Sequence, residues 1–302
     1  MTEERYGSPA AVESAIAAAA KRAHKVDPSL SVNERIRLEY FHRFLSRIFD
    51  DPVDVGWVLK GGTGMLARLA SARATTDVDL FRRDQSLDGA LDDLRDRAKV
   101  VLDDFFRFEY MGYSAALGGE QQTATEGCRI SFDVYIGVKR KGALHVDLVV
   151  GVATTDAVAV ATPAHALDLP KLPSSDYRLY PIVDQIADKI CATLVHYGGK
   201  PSTREKDLVD LVLIAVTQDV DGVKLRRALE IEAGIRGLTL PGTFTVPTAW
   251  GAVYAKLAKD VPACERYPRV DAAMEVMRHF IDPVLEGVVN GTTWNHTELA
   301  WR

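Results

Sequence analysis

The sequence predicts an α/β (α+β) fold, in which a mixed sheet with flanking helices is followed by a helical C-terminal domain. Three observations carry this expectation. Two short strand-like runs, residues 57–59 and 75–81, bracket a stretch with helical periodicity from Thr63 to Leu69. Residues 128–138 (CRISFDVYIGV) and 143–151 (ALHVDLVVG) alternate as half-buried strands of one hairpin. After a connection over 161–180 that contains Pro163, Pro170 and Pro173, the pattern is helical almost to the end. The expected divisions are residues 1–50, helices packed on the sheet domain, then 51–165, the sheet domain itself, and 175–302, the helical domain.

Taken in order, residues 9–25 are Ala-rich and end in Lys21, Arg22, His24 and Lys25, a charge placement that suits a helix dipole. The weakly apolar run Ala17–Ala20 predicts loose packing or a mobile arm. Ser31 and Glu34 form a capping-box pattern that opens a second helix. Ile36, Leu38, Phe41, Leu45 and Ile48 give that helix its apolar face, and Arg35, Arg37, His42, Arg43 and Arg47 are expected mostly on a solvated one. Trp57 to Leu59 then run into a Gly61–Gly62 turn, a helix that gives out near Ser71, and the strand 75–81. Residues 86–99 read as a charged helix, Phe105 to Leu117 as extended, and Lys139 to Gly142 as the hairpin turn.

In the C-terminal region a helix from Pro181 to His196 turns Val183, Ile186, Ile190 and Leu194 to a core, with Asp184, Asp188 and Lys189 on other sides. Gly198, Gly199 and Pro201 break it. The next helix carries Asp207, expected to be more exposed, and Asp210 within an apolar run. Further helices are expected near 221–235, 249–260 and 267–288, with Trp294 and Trp301 docking the tail.

Composition narrows the class. The 302 residues are 47% hydrophobic and 26% charged, as in ordinary globular proteins. A formal net charge of −5 excludes a globally basic nucleic-acid binder and leaves only local basic patches. Three separated cysteines, Cys128, Cys191 and Cys264, predict a reducing cytoplasmic setting and argue against a disulfide framework or zinc site. No apolar run approaches the ~20 residues that span a bilayer, and the acidic N-terminus lacks a secretory pattern, so no membrane association is expected.

The chemistry concentrates in WVLKGGTGMLARLASARATTDVDLF. On a strand, Asp77 and Asp79 point to one face with Cβ atoms roughly 6–7 Å apart. Crowded carboxylates call for a cation between them, and hard oxygen ligands favour Mg²⁺ or Mn²⁺. Gly61, Gly62 and Thr63, at a helix N-terminus, offer backbone N–H groups and a hydroxyl to a phosphate. Asp147 interrupts a buried apolar strand and needs a partner. Asp210 would be costly unpaired, so it should hold a cation, a metal or a substrate.

Gly-Gly-Thr, a helix and then Asp-x-Asp on a strand resembles the opening signature of the nucleotidyltransferase superfamily. The strings LKGGTGMLARL…RATTDVDLF, DQIADKICATL and STREKDLVDLVLI resemble, in order, the AbiEii-type nucleotidyltransferase toxins of bacterial toxin–antitoxin systems, over about residues 40–215. The resemblance implies transfer of a nucleoside monophosphate from an NTP to an RNA acceptor, tRNA above all, opposed by a cognate antitoxin protein. It also implies metal at Asp77, Asp79 and a third carboxylate, Asp147, with Lys189 on the triphosphate and Asp210 (or Asp207) completing the site. Arg68, Arg73, Arg82, Arg83, Lys200, Arg204 and Lys206 are the expected RNA contacts. The alternatives are an Asp-x-Asp glycosyltransferase, nucleotidylation of a protein hydroxyl, and a non-enzymatic binding protein.

Overall fold

The computed structural model describes residues 5–70, 72–114, 126–151, 154–172, 174–196, 199 and 201–302. Ser71, Leu117, Pro173, Gly198 and Lys200, all used in the sequence reading, lie outside them. The chain divides into two compact units: Met1–Ala70, Ala74–Ala153 and Ala159–Leu179 form the first, and Ser71–Arg73, Thr154–Val158 and Tyr180–Arg302 the second.

The first unit opens with α1 (Pro9–Val26), capped by Ser8, and α2 (Val32–Ile48), whose Ser31–Glu34 capping box is complete. The first helix is no loose arm: it packs on α2 and buries Val12, Ile16, Ala19 and Ala20. Nor is the basic side of α2 solvated. His42, Arg43 and Arg47 are 3%, 1% and 1% exposed. Each has a partner that makes burial tolerable. Arg47 donates to both carboxylate oxygens of Asp104 (3.0 and 2.6 Å), Arg43 pairs with Glu39 at 2.8 Å, and His42 meets Ser174 Oγ at 3.1 Å.

Then come β1 (Trp57–Lys60), α3 (Gly61–Arg68), β2 (Val78–Arg82), α4 (Leu87–Arg97), β3 (Phe106–Ser114), β4 (Gly127–Ile136), β5 (Lys139–Val150), β6 (Ala159–Ala161) and β7 (Tyr177–Leu179). Seven strands make one sheet in the order β3-β4-β5-β2-β1-β7-β6. The β2–β5 and β1–β7 pairs are parallel and the others antiparallel, so the sheet is mixed as expected. The three-residue strand β7 lies within the expected connection 161–180, and β6 ends at its first residue. The hairpin turn also differs from expectation: Gly137, at φ 58°, and Val138 make a two-residue turn, and Lys139 to Gly142 belong to β5. A left-handed φ at glycine costs little, so the strands can run closer to the turn than the basic cluster suggests.

Alternation gives β3, β4 and β5 one buried and one more open face, while Val58 and Phe81 keep β1 and β2 buried on both. Cys128, Ile130 and Phe132 of β4, Leu144, Val146 and Leu148 of β5, and Val78 and Leu80 of β2 are at most 1% exposed. Phe44 of α2 packs on this face, edge-on to Phe108 with ring centroids 5.2 Å apart and tilted on Phe132 at 5.1 Å.

The second unit holds α5 (Ile182–Leu194), α6 (Glu205–Ala215), β8 (Val220–Asp221), α7 (Gly222–Arg236), α8 (Gly251–Ala258), α9 (Val270–Glu286), β9 (Thr293–Asn295) and β10 (Ala300–Trp301). Val209, Leu211, Val212 and Ile214 of α6 are fully buried, against α5, α8 and α9. The tail returns as β9, beside β8, and β10, beside β9. Trp294, also fully buried, packs on Phe280 at 4.8 Å and donates its indole N–H to Ala215 O at 2.7 Å. Among the described residues no helix is long and apolar enough to cross a membrane.

Candidate active site

Strand register builds the acidic centre of the first unit. Lys60 of β1 is opposite Asp79 of β2, Asp79 is level with Asp147 of β5, and Asp147 is opposite Arg129 of β4. Directly paired residues share a face, so these four side chains form a row across the open side of the sheet. Asp77 is not on the strand as expected. It precedes β2, and its carbonyl accepts a 2.6 Å hydrogen bond from Thr63 Oγ1. Its carboxylate nevertheless reaches the row, because Arg129 contacts it.

Arg129 was not singled out from sequence, and it changes the site. Its Nε and one terminal nitrogen donate to the two oxygens of Asp147 at 2.6 and 2.7 Å, and the same nitrogen is 3.3 Å from Asp77 Oδ2. The only hint in the sequence was a charge within an alternating strand. Asp147 therefore has the partner its setting demanded, but that partner is a guanidinium. Both of its oxygens are engaged, and among the described residues no group of three metal-type side chains is assembled. Of the three aspartates expected at a metal, Asp77 and Asp79 offer hard oxygen donors that fit a divalent cation, and Asp147 is paired to Arg129.

The phosphate-binding expectation lies on α3. Gly61 has φ 60°, and a Cβ there would overlap the carboxylate of Asp79, so glycine is what lets the helix start against the acidic pair. Lys60, at the N-cap, makes no side-chain capping bond to the helix. The backbone N–H groups at Gly62 and Thr63 are thus placed for an anion. The Thr63 hydroxyl is not, because Thr63 is fully buried and its proton serves Asp77.

A second charged cluster lies in the second unit. Lys189 Nζ is 2.8 Å from Asp207 Oδ1 and 2.7 Å from Asp210 Oδ2; Arg73 reaches Asp210 at 3.0 Å and Arg204 reaches Asp207 at 3.6 Å. Asp207 is buried, not exposed, and takes part equally with Asp210. Burial alone would push the Lys189 ammonium down, but Asp207 and Asp210 reverse this and hold it above its ordinary value. Burial likewise favours neutral Asp210, yet Lys189 and Arg73 keep its carboxyl below the usual range.

Several expected RNA contacts are already committed. Arg73 belongs to this cluster, and Arg82, 8% exposed, donates to both oxygens of Asp54 at 2.7 Å. Lys206 is exposed.

Residues 43–276 match the family described as "Nucleotidyl transferase AbiEii toxin, Type IV TA system". The chain belongs to that family. The match includes every site residue discussed above and extends well past the stretch in which the resemblance was read. No curated protein matches the chain. Among solved structures, MenT4, a nucleotidyltransferase toxin from Mycobacterium tuberculosis H37Rv, is similar at TM-score 0.52 and 16% identity, over 90% of this chain and 98% of that one. JHP933 from Helicobacter pylori aligns over 82% of this chain and 93% of its own, at 16% identity and TM-score 0.45. At such identity the MenT4 likeness establishes the fold alone, which for this AbiEii toxin is the mixed α/β architecture described above.

Proposed function

We propose that this AbiEii family member transfers a nucleoside monophosphate from an NTP to an RNA acceptor, with tRNA the leading substrate, and that its toxicity is opposed by a cognate antitoxin protein. The observation that carries the reading is the acidic pair Asp77 and Asp79, with the N-terminus of α3 set against Asp79 through Gly61. Asp77 and Asp79 would hold Mg²⁺ or Mn²⁺, which supplies charge neutralisation at the oxygens of the reacting phosphate. The backbone N–H groups of Gly62 and Thr63 bind the phosphates, and in the second unit Lys189, fixed by Asp207 and Asp210, is the cation assigned to the triphosphate. In the transfer, the acceptor hydroxyl oxygen bonds to the α-phosphorus as the α–β anhydride bond breaks. Pyrophosphate leaves with the electron pair, and the hydroxyl proton passes to solvent.

The test is incubation with each α-labelled NTP, total RNA and cell protein, in Mg²⁺, Mn²⁺ or chelator. Label in a tRNA-sized band that chelator abolishes is the expected result. Label only in protein refutes the RNA acceptor, and label in neither refutes the transferase reading.

A further inference from the structure

The Arg129–Asp147 pair has no place in a site where all three aspartates bind metal, and its geometry assigns it another task. Arg129 is held by two parallel hydrogen bonds, the arrangement in which guanidinium and carboxylate fit best, and the register places the two residues directly opposite. Its side chain is 45% exposed, against 19% for Asp147. The carboxylate is thus the inner anchor and the guanidinium the outward group. Its remaining contact, 3.3 Å from Asp77, is the longest of the three and sets it beside the acidic pair.

Charge points the same way. The row and Asp77 carry three negative groups and two positive ones, Lys60 and Arg129. A divalent cation at Asp77 and Asp79 would turn the set net positive, which suits an anion. Exchanging Arg129 for a second cation at Asp147 would instead break the best-formed ion pair in the row.

We propose that Arg129 is a phosphate ligand for the nucleoside triphosphate and that Asp147 is a positioning residue acting through Arg129, not a metal ligand. The inference rests on the nucleotidyltransferase reading above. It makes the open face a two-part site, in which Asp77 and Asp79 take the cation and Arg129, with the start of α3, takes phosphate oxygens. A guanidinium suits this role because its planar fork can keep one edge on Asp147 while offering other N–H groups outward.

The experiment measures two affinities separately on the full chain, with folding checked by circular dichroism. Mn²⁺ is titrated alone, followed by its electron paramagnetic resonance signal, and the α,β-methylene analogues of ATP, CTP, GTP and UTP are titrated in turn by calorimetry in Mn²⁺. In R129Q the best nucleotide analogue should bind at least 10-fold more weakly while Mn²⁺ affinity is kept or improved. D147N should keep Mn²⁺ affinity and lose nucleotide affinity to the same degree, and R129Q/D147N should be no worse than R129Q. R129K should not restore binding, since an ammonium cannot hold Asp147 and a phosphate through one planar group.

Loss of Mn²⁺ binding in D147N to the level of D79N would overturn the assignment in favour of a three-carboxylate metal site. Unchanged nucleotide affinity in folded R129Q would also overturn it. If wild type bound neither Mn²⁺ nor any analogue, the nucleotidyltransferase reading itself would fall, a result distinct from either of these.

Discussion

Replacing Lys189 by Met keeps side-chain length and removes the charge, and the structure sets the size of the effect. Asp207 and Asp210 are 7% and 1% exposed at their side chains, and both face the lysine ammonium within 2.8 Å. Removing one partner from a buried ion pair costs about 3–5 kcal/mol, chiefly because the other charge stays buried. Arg73 remains 3.0 Å from Asp210 and Arg204 3.6 Å from Asp207, so both carboxylates keep some compensation. The loss should therefore fall at the low end, about 3 kcal/mol, or roughly 10 °C in midpoint for a unit of this size.

The measurement belongs at neutral pH, where both contributions are at full strength. Asp210 has a lowered pKa, so its stability is present above the ordinary value of 3.8 and is lost as pH falls through the folded value. Lys189 has a raised pKa, so its contribution is present below 10.5 and is lost as pH rises through the folded value. Urea unfolding of Lys189→Met, Asp210→Asn and the double variant gives the three sides of a cycle. The double variant should lose about 1–3 kcal/mol less than the sum of the singles, because neutralising Asp210 removes a charge that the missing lysine would strand. A loss below about 1 kcal/mol in Lys189→Met would refute the reasoning and leave the lysine a purely functional group. Transfer activity assayed well below the variant's midpoint then reads the triphosphate role separately.

Two further outcomes follow from the first unit. Gly61→Ala forces a left-handed φ on alanine and drives its Cβ into Asp79, so it should cost about 1–3 kcal/mol; Asp79→Ala in that background should recover only the part due to the clash, as read by urea unfolding. Burial pushes the His165 imidazole from 6.5 down to about 4, so the stability it confers is complete above pH 6.5 and is lost as pH falls toward 4; the advantage of wild type over His165→Asn should shrink by up to about 3 kcal/mol across that window, and an unchanged difference in melting curves would contradict it.

The elements legible in the sequence were those whose signal is local. The capping box at Ser31 and Glu34, the Gly61 turn and the apolar run of α6 each state their conformation within a few residues. What was not legible depended on a distant partner. Arg47 reads as surface until Asp104, 57 residues on, supplies both oxygens, and β7 is three residues whose strand character comes from lying beside β1. The same limit governed the site. Had the hairpin turned at Lys139 to Gly142, closing Val138 against Ala143, Asp147 would lie opposite Val134 and Arg129 would be out of reach. Gly137 places the turn earlier, which alone would set Asp147 opposite Cys128, and an irregularity between Val134 and Tyr135 moves the register back by one residue, which brings Arg129 opposite Asp147. A motif reading sees Asp147 as a third acidic residue because it counts residue types along the chain. The register decides instead which charge faces it, and here that charge is a guanidinium, which leaves Asp77 and Asp79 as the pair proposed for a cation and Arg129 as the ligand proposed for an anion.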